Sequence, residues 1–393
     1  MSATPGRPIS QRPSRSARPE AASPEDQGSG VKPDSRGFLK RHRRALLVVL
    51  LAAAVFGFVY YVLPKIVGLG PTLRRLERGN AWWLALGVFV EMLSIGGEVI
   101  LLHGVFSRSA SRIGWRASYE ITLAGGVATK IFATAGAGGV TLTVWALRAA
   151  GIGDEEVATG MVSYEILNYA VYMAALAIAG FGLWLGVFSG HAPFAVTLLP
   201  AAFGAGVIAL VLSMGVVDAP LERFLGRRAD RSTGKRQRWW RRAATAPRAL
   251  RTGLSAALVV VRRRDPALLG VLGAWGFDIA ALWASFRAFG HSPPGAVLVM
   301  GYYVGTLANT LPLPGGIGGV EGGMIGAFIA FGLNASLVVL AVLAYRTISY
   351  WLPTVPGAVA YLQLRHRVAG WRSETTDRGP QPATVRDASG APS

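Results

Sequence analysis

Cysteine is absent from all 393 residues. That excludes disulfides, thiolate zinc sites and a cysteine nucleophile. Charge is scarce as well. Asp, Glu, Lys and Arg make up 16% of the chain, against about 25% in an average soluble domain. The motifs of soluble enzymes are also missing. There is no Walker loop, no HExxH and no GxSxG, and the five histidines are scattered. Glycine runs of the GxGxxG type fall between apolar stretches, not between a strand and a helix. These absences point away from an enzyme, and they imply no cofactor and no metal.

What the chain does have is apolar sequence, 52% of it, and a net charge of +19. The arginines sit beside the apolar blocks, so the membrane surface accounts for them better than nucleic acid does. Residues 1–40 are rich in Pro, Ser, Arg and Gly and cannot bury a core, so they read as a disordered basic cytoplasmic tail. The first apolar block begins far from Met1 and has no small-residue cleavage site behind it, unlike a signal peptide. Lys40, Arg41, Arg43 and Arg44 abut that block and place the N-terminus in the cytoplasm. Residues 367–393 read as a second disordered tail.

A bilayer-spanning helix needs roughly 20 mostly apolar residues. Eight blocks qualify: 45–63, 81–106, 117–147, 156–187, 194–217, 266–289, 295–331 and 336–363. Two are too long for one span and are broken by glycine. The first break holds Gly136, Gly138 and Gly139. The second holds Pro312, Pro314, Gly315, Gly316, Gly318 and Gly319. Such runs cannot continue a helix, and irregular backbone at membrane depth must be covered by protein or line a wet cavity. The expected fold is therefore all-α: a polytopic transmembrane bundle of about six full spans plus two glycine-broken re-entrant hairpins. The segment 222–265 carries fourteen Arg and Lys up to Arg264. It reads as a basic cytoplasmic loop that meets anionic lipid head groups through a surface-lying amphipathic stretch. It separates a first membrane repeat, 41–221, from a second, 266–366. Both termini are then cytoplasmic in the plasma membrane. Lys65, Arg74, Arg75 and Arg78 go against this charge pattern.

A shift of 181 residues places Gly151 on Gly332, Tyr164 on Tyr345 and Tyr169 on Tyr350. The order of elements repeats too, with the copies entering from opposite faces. This inverted repeat is a common plan of secondary transporters, whose site lies at the midplane. Seven ionisable residues lie inside the blocks: Glu91, Glu98, Lys130, Glu165, Asp278, Glu321 and Arg346. Glu91 and Glu98 are seven apart and share a helix face. Each repeat holds an acid and a base near its break, Lys130 with Glu165 and Glu321 with Arg346. Charges survive in hydrocarbon when they pair or face water. They are either structural ion pairs or a cavity in which Lys130 and Arg346 take an anionic head group. Asp278 is the weakest of the seven. Trp82, Trp83, Trp115, Trp184 and Trp351 form an aromatic belt.

The stretch LPLPGGIGGVEGGMIGAFIAFG, followed by VLAYRTISYWLPTVPG, resembles the flippase-like family that includes the membrane half of lysylphosphatidylglycerol synthase. Glu321 and Arg346 stand at that family's acid and arginine positions. TAGAGGVTLTVWALRAAGI is similar to its first glycine motif, without the usual proline and with Thr141 where many members are polar or acidic. The resemblance covers roughly 45–365. It implies a membrane unit that moves lipids between leaflets, with the lipid-synthesising domain a separate C-terminal unit. The chain stops at Ser393 after a short polar tail, so synthesis of the lysyl lipid is not expected. The function it implies is translocation of a phosphate-bearing lipid. Glu91, Glu98, Glu165 and Glu321 would balance charge or carry protons. Neutral substitution of Arg346 or Glu321 is expected to abolish transport and leave folding intact. Two rivals remain: an ion-coupled transporter of a small anion, and a non-catalytic membrane partner of a lipid-modifying enzyme. A homo-oligomer is compatible with any of these.

Overall fold

A computed structural model describes residues 79–107, 113–131, 137–190, 193–214, 227–228, 231, 249–308 and 318–377. The expected span 45–63, the N-terminal tail, residues 378–393 of the C-terminal tail, and Gly136, Pro312, Pro314, Gly315 and Gly316 of the breaks lie outside the described residues. So do Trp239 and Trp240 of the basic loop. Residues 367–377, expected as disordered tail, instead continue a helix.

The named helices are α1 (Ala81–Phe106), α2 (Trp115–Ile131), α3 (Ala137–Ala149), α4 (Asp154–Trp184) and α5 (Phe194–Met214). They continue with α6 (Pro266–Ala288), α7 (Gly295–Leu307), α8 (Gly319–Ala330), α9 (Ala335–Arg346) and α10 (Thr354–Asp377). No strand occurs among the described residues. The chain is thus an all-helical polytopic membrane protein. Five helical stretches, the last running through Ala335–Trp371, are long and apolar enough to cross a bilayer.

Local chemistry sets the helix starts. Asn80 Oδ1 accepts from Trp82 N–H at the head of α1, and Asp265 does the same for Ala267 before Pro266 of α6. Asn334 Oδ1 accepts from Ser336 and Leu337 at α9. Each supplies an acceptor for an orphan N–H. Between α9 and α10 lies one π-helical turn, Thr347–Trp351. Pro353 follows it and has no N–H to give to the Ser349 carbonyl.

α1 and α6 run antiparallel along a seam of small residues. Gly87, Gly97 and Gly104 lie against Ala281 and Ala284, Gly270 and Ala274, and Ala267 in turn. Ser94 Oγ donates to Ala274 O at 2.7 Å. With no hydrophobic force between helices in lipid, close backbone approach of this kind drives association.

Each long block divides as expected. Helices α2, α3, α7 and α8 have 17, 13, 13 and 12 residues. At 1.5 Å per residue they reach roughly 18–26 Å, short of the ~30 Å hydrocarbon core. Both pairs fold back on themselves. Gly139 lies against Gly125 and Thr129, and Gly305 against Met324.

The two hairpins enter from opposite faces. Ile113, Ala117, Leu147 and Ile152, at the ends of the first, pack with Leu102 and Phe106 at the end of α1. Val297, Leu298, Phe328 and Phe331, at the ends of the second, pack with Leu183 and Phe286. Phe286 belongs to the end of α6 that adjoins the start of α1, where Asn80 N–H donates to Ala288 O at 2.9 Å. The shift of 181 carries α1 to α6, α2–α3 to α7–α8, and α4 to α9–α10, with starts agreeing within four residues. Gly151 and Gly332 close equivalent helix ends at φ +93° and +86°, a region glycine enters without a Cβ penalty. The inverted repeat is thus present in the fold.

The face where the first hairpin opens carries Arg116, Arg148, Arg262, Arg263, Arg264 and Arg367. Residues 249–262 of the basic loop form a helix there. It is anchored by Leu254 and Ala257, with Gly253 against Val162. The amphipathic character was expected, but this part of the loop is packed on protein. α5 turns Phe194, Leu199, Phe203, Leu210 and Leu212 outward.

Near the same face, Glu120 is buried and takes two bonds from Arg367, at 2.6 and 2.7 Å, with Arg116 3.4 Å away. Arg367→Ala is expected to cost about 1.5–3 kcal/mol, because it strands a buried carboxylate. Arg116, 77% exposed, is worth about 0–1 kcal/mol. Thermal unfolding in detergent ranks the two variants, and equal losses would contradict this assignment.

Candidate functional site

α1 presents Glu91, Ser94 and Glu98 on one face, at a spacing of i, i+3 and i+7. Glu91 is buried. Glu98 is exposed, although protein surrounds it and it lies within electrostatic reach of Asp278 and Lys130. That combination describes a side chain lining a cleft. Across the seam, Asp278 of α6 accepts from the Tyr302 hydroxyl through Oδ2 and from the Tyr345 hydroxyl through Oδ1 at 2.7 Å. The seam register, with Gly87 at Ala281 and Ser94 at Ala274, places Glu91 opposite Asp278.

Lys130 sits at the inner end of α2. Its Nζ donates to the carbonyls of Ser349, at 3.3 Å, and Tyr350, at 2.9 Å. Pro353 has no N–H for the Ser349 carbonyl, and the lysine supplies a donor there; the Tyr350 carbonyl accepts from the Thr354 hydroxyl as well, at 2.7 Å. Arg346 ends α9. Its Nε donates to Glu321 Oε1 at 2.8 Å, and both side chains are buried. Glu321 Oε2 accepts from Gly318 N–H at 2.7 Å, which caps the inner N-terminus of α8. Gly318 holds φ +82° there, a conformation suited to glycine.

The two cations converge on one ring. Lys130 Nζ is 5.0 Å from the Tyr350 centroid, and the Arg346 guanidinium carbon is 4.7 Å from it. Lys130 and Arg346 thus meet where the first hairpin, the π turn and the Glu321 cap of the second come together. Of the residues expected from sequence, Glu91, Glu98, Lys130, Glu321 and Arg346 fall in one cluster. Glu165 does not. It is half-buried on α4 beside Tyr164 and Tyr169, and no ion pair joins it to Lys130 among the described residues. Lys130 and Glu165 lie on different helices and are directed toward different neighbours.

Asp278 stands at the centre, although sequence ranked it last. Tyr302, Tyr345 and Tyr350 were not singled out as site residues. The repeat carried a signal for three of these positions. A shift of 181 takes Glu98 to within one residue of Asp278, Tyr164 onto Tyr345 and Tyr169 onto Tyr350. Behind Asp278, Tyr172, Trp275 and Tyr303 form an aromatic wall, with Tyr172 stacked on Tyr303 at 4.5 Å. On the outer side of α3, Val140, Thr141, Val144, Trp145 and Arg148 line a groove of about 570 Å³.

Residues 45–357 match the family described as lysylphosphatidylglycerol synthase TM region. Curated relatives are UPF0104 membrane proteins of Methanothermobacter thermautotrophicus. One is 41% identical over 90 residues, 23% of this chain and 26% of the relative. Another is 32% identical over 87 residues, 22% of this chain and 26% of the relative. In these two the chain spans about a quarter of the relative's length. A third alignment is 22% identical over 335 residues, 81% of this chain and 95% of the relative.

Proposed function

Because the chain belongs to the lysylphosphatidylglycerol synthase transmembrane-region family, we propose that it moves a phosphate-bearing lipid between bilayer leaflets. The cargo class is a phospholipid or a polyprenyl-phosphate-linked sugar. One observation carries this reading: Lys130 and Arg346 converge on Tyr350 where opposed hairpins meet. A buried arginine and a half-buried lysine at one point suit a phosphate, the arginine as a planar fork and the lysine as a point charge. Both now hold protein acceptors, so an incoming phosphate would exchange with carbonyls and with Glu321. The groove beside Trp145 and Arg148, apolar below and basic above, suits a lipid approaching from the basic face. By the positive-inside rule that face is cytoplasmic, and the 249–262 helix would hold anionic lipid there.

The test is reconstitution in liposomes with fluorescent lipid in both leaflets and dithionite outside. The expected result is faster loss of inner-leaflet fluorescence with the protein present. Lys130→Gln and the double variant Glu321→Gln/Arg346→Gln should lose that acceleration. No acceleration with anionic, zwitterionic or polyprenyl lipid would overturn the proposal and favour a transporter of a small soluble anion.

A further inference from the structure

We propose that Glu91 and Asp278 form a proton-binding site that couples lipid movement to a proton gradient. The inference rests on the lipid-translocation reading and adds the coupling ion to it.

The geometry is specific. Asp278 already accepts two tyrosine hydroxyls, one on each oxygen. The register of the α1–α6 seam, with Gly87 at Ala281 and Ser94 at Ala274, sets the Glu91 carboxyl opposite Asp278. Two carboxyl groups facing each other inside protein are stable only when at least one holds a proton, because like charges there oppose joint ionisation. Glu91 is 5% exposed, and its buried Oε2 has no hydrogen-bond partner among the described residues. A buried carboxyl oxygen without a donor, across the seam from a second carboxyl, marks the place of a missing proton.

The groups facing the pair come from every helix packed on it. They are Glu98 of α1, Lys130 of α2, Tyr302 and Tyr303 of α7, and Tyr345 and Arg346 of α9. Glu91, Glu98, Asp278 and Glu321 are thus four carboxyls opposing two cations. An anionic head group would enter against an excess of negative charge unless a proton entered with it. Glu98, on the same face and exposed in the cleft, gives that proton a way in.

Loss of the proton leaves two charges facing each other. The α1–α6 seam cannot part easily, since backbone meets backbone at Gly97 and Gly270. Tyr302 and Tyr345 are the partners that lie outside this seam. They belong to the second hairpin and to α9, which carries Arg346. Protonation would therefore bias the elements that grip phosphate.

Two measurements on the full chain test this. In purified protein, infrared difference spectra between acid and alkaline buffer should show a carboxylic-acid C=O band that is absent from Glu91→Gln. In proteoliposomes with fluorescent phospholipid, an imposed difference of one pH unit should change the translocation rate by up to about tenfold. Glu91→Gln and Asp278→Asn should show no such response. A wild-type band that persists in Glu91→Gln overturns the proposal. So does translocation that ignores the pH gradient, or follows a sodium gradient instead. If the band behaves as expected but no lipid moves under any condition, the proton site stands and the lipid reading falls.

Discussion

Gly97→Ala is expected to lower the stability of the folded protein sharply, while Gly96→Ala, one residue away, leaves it unchanged or raises it. A Cβ at Gly97 would lie 2.5 Å from Ala274 N and 2.6 Å from Gly270 O. Both are backbone atoms of α6, so no side chain can swing aside. Relief requires α1 and α6 to separate along a seam that continues through Gly87, Ala284, Gly104 and Ala267. Overpacking costs about 1–3 kcal/mol where neighbours can adjust, and occasionally more. Here adjustment means moving a whole helix, so the cost belongs at or above the top of that range. Gly96 has nothing within 4 Å of its would-be Cβ, and removing a helix-interior glycine gains up to about 1 kcal/mol. Unfolding temperature and monodispersity in detergent separate the pair. Equal behaviour would show that the seam is not what joins the halves.

The second large effect is at Glu321 and Arg346. Their 2.8 Å contact is buried on both sides, so each single neutral substitution strands a charge. Such a loss costs about 3–5 kcal/mol. Arg346→Gln should be the more harmful, because Glu321 keeps its charge at the buried end of α8. Glu321→Gln retains an amide oxygen for Gly318 N–H. The double variant removes both charges and should be more stable than either single variant. It should still fail to move lipid, because the guanidinium proposed to bind phosphate is gone. This qualifies the expectation that single neutral changes leave folding intact: the pair stabilises the fold as well as forming part of the site. Additive losses in the double variant, or transport that survives in it, would count against that dual role.

Much of this fold was legible in the sequence because a bilayer imposes composition over long stretches. The block 81–106 is α1 to the residue, and the glycine-broken blocks each gave two short helices. The repeat was visible through three residue identities, and the structure extended it to the helix starts. The site was less legible, for identifiable reasons. Asp278 sits alone in an apolar helix, and its partners lie 24, 67 and 187 residues away. The acceptors for Lys130 are main-chain carbonyls of a π turn, which no side-chain pattern announces. Glu165 misled because proximity to a break in sequence does not fix direction in space.

The small-residue seam also has a consequence for assembly. Its two sides are about 180 residues apart in the chain, so a helix pair in backbone contact is made far apart in synthesis. Until α6 is inserted, α1 waits in the membrane with its glycine stripe bare and Glu91 without its counterpart. Contacts of such long sequence separation form late and slowly, and a chain emerges at only about 5–20 residues per second. For roughly 9–36 seconds the first half is therefore an incomplete guest in the bilayer. The ribosome's pace, together with whatever shelters α1 in that interval, becomes part of how this protein reaches its fold.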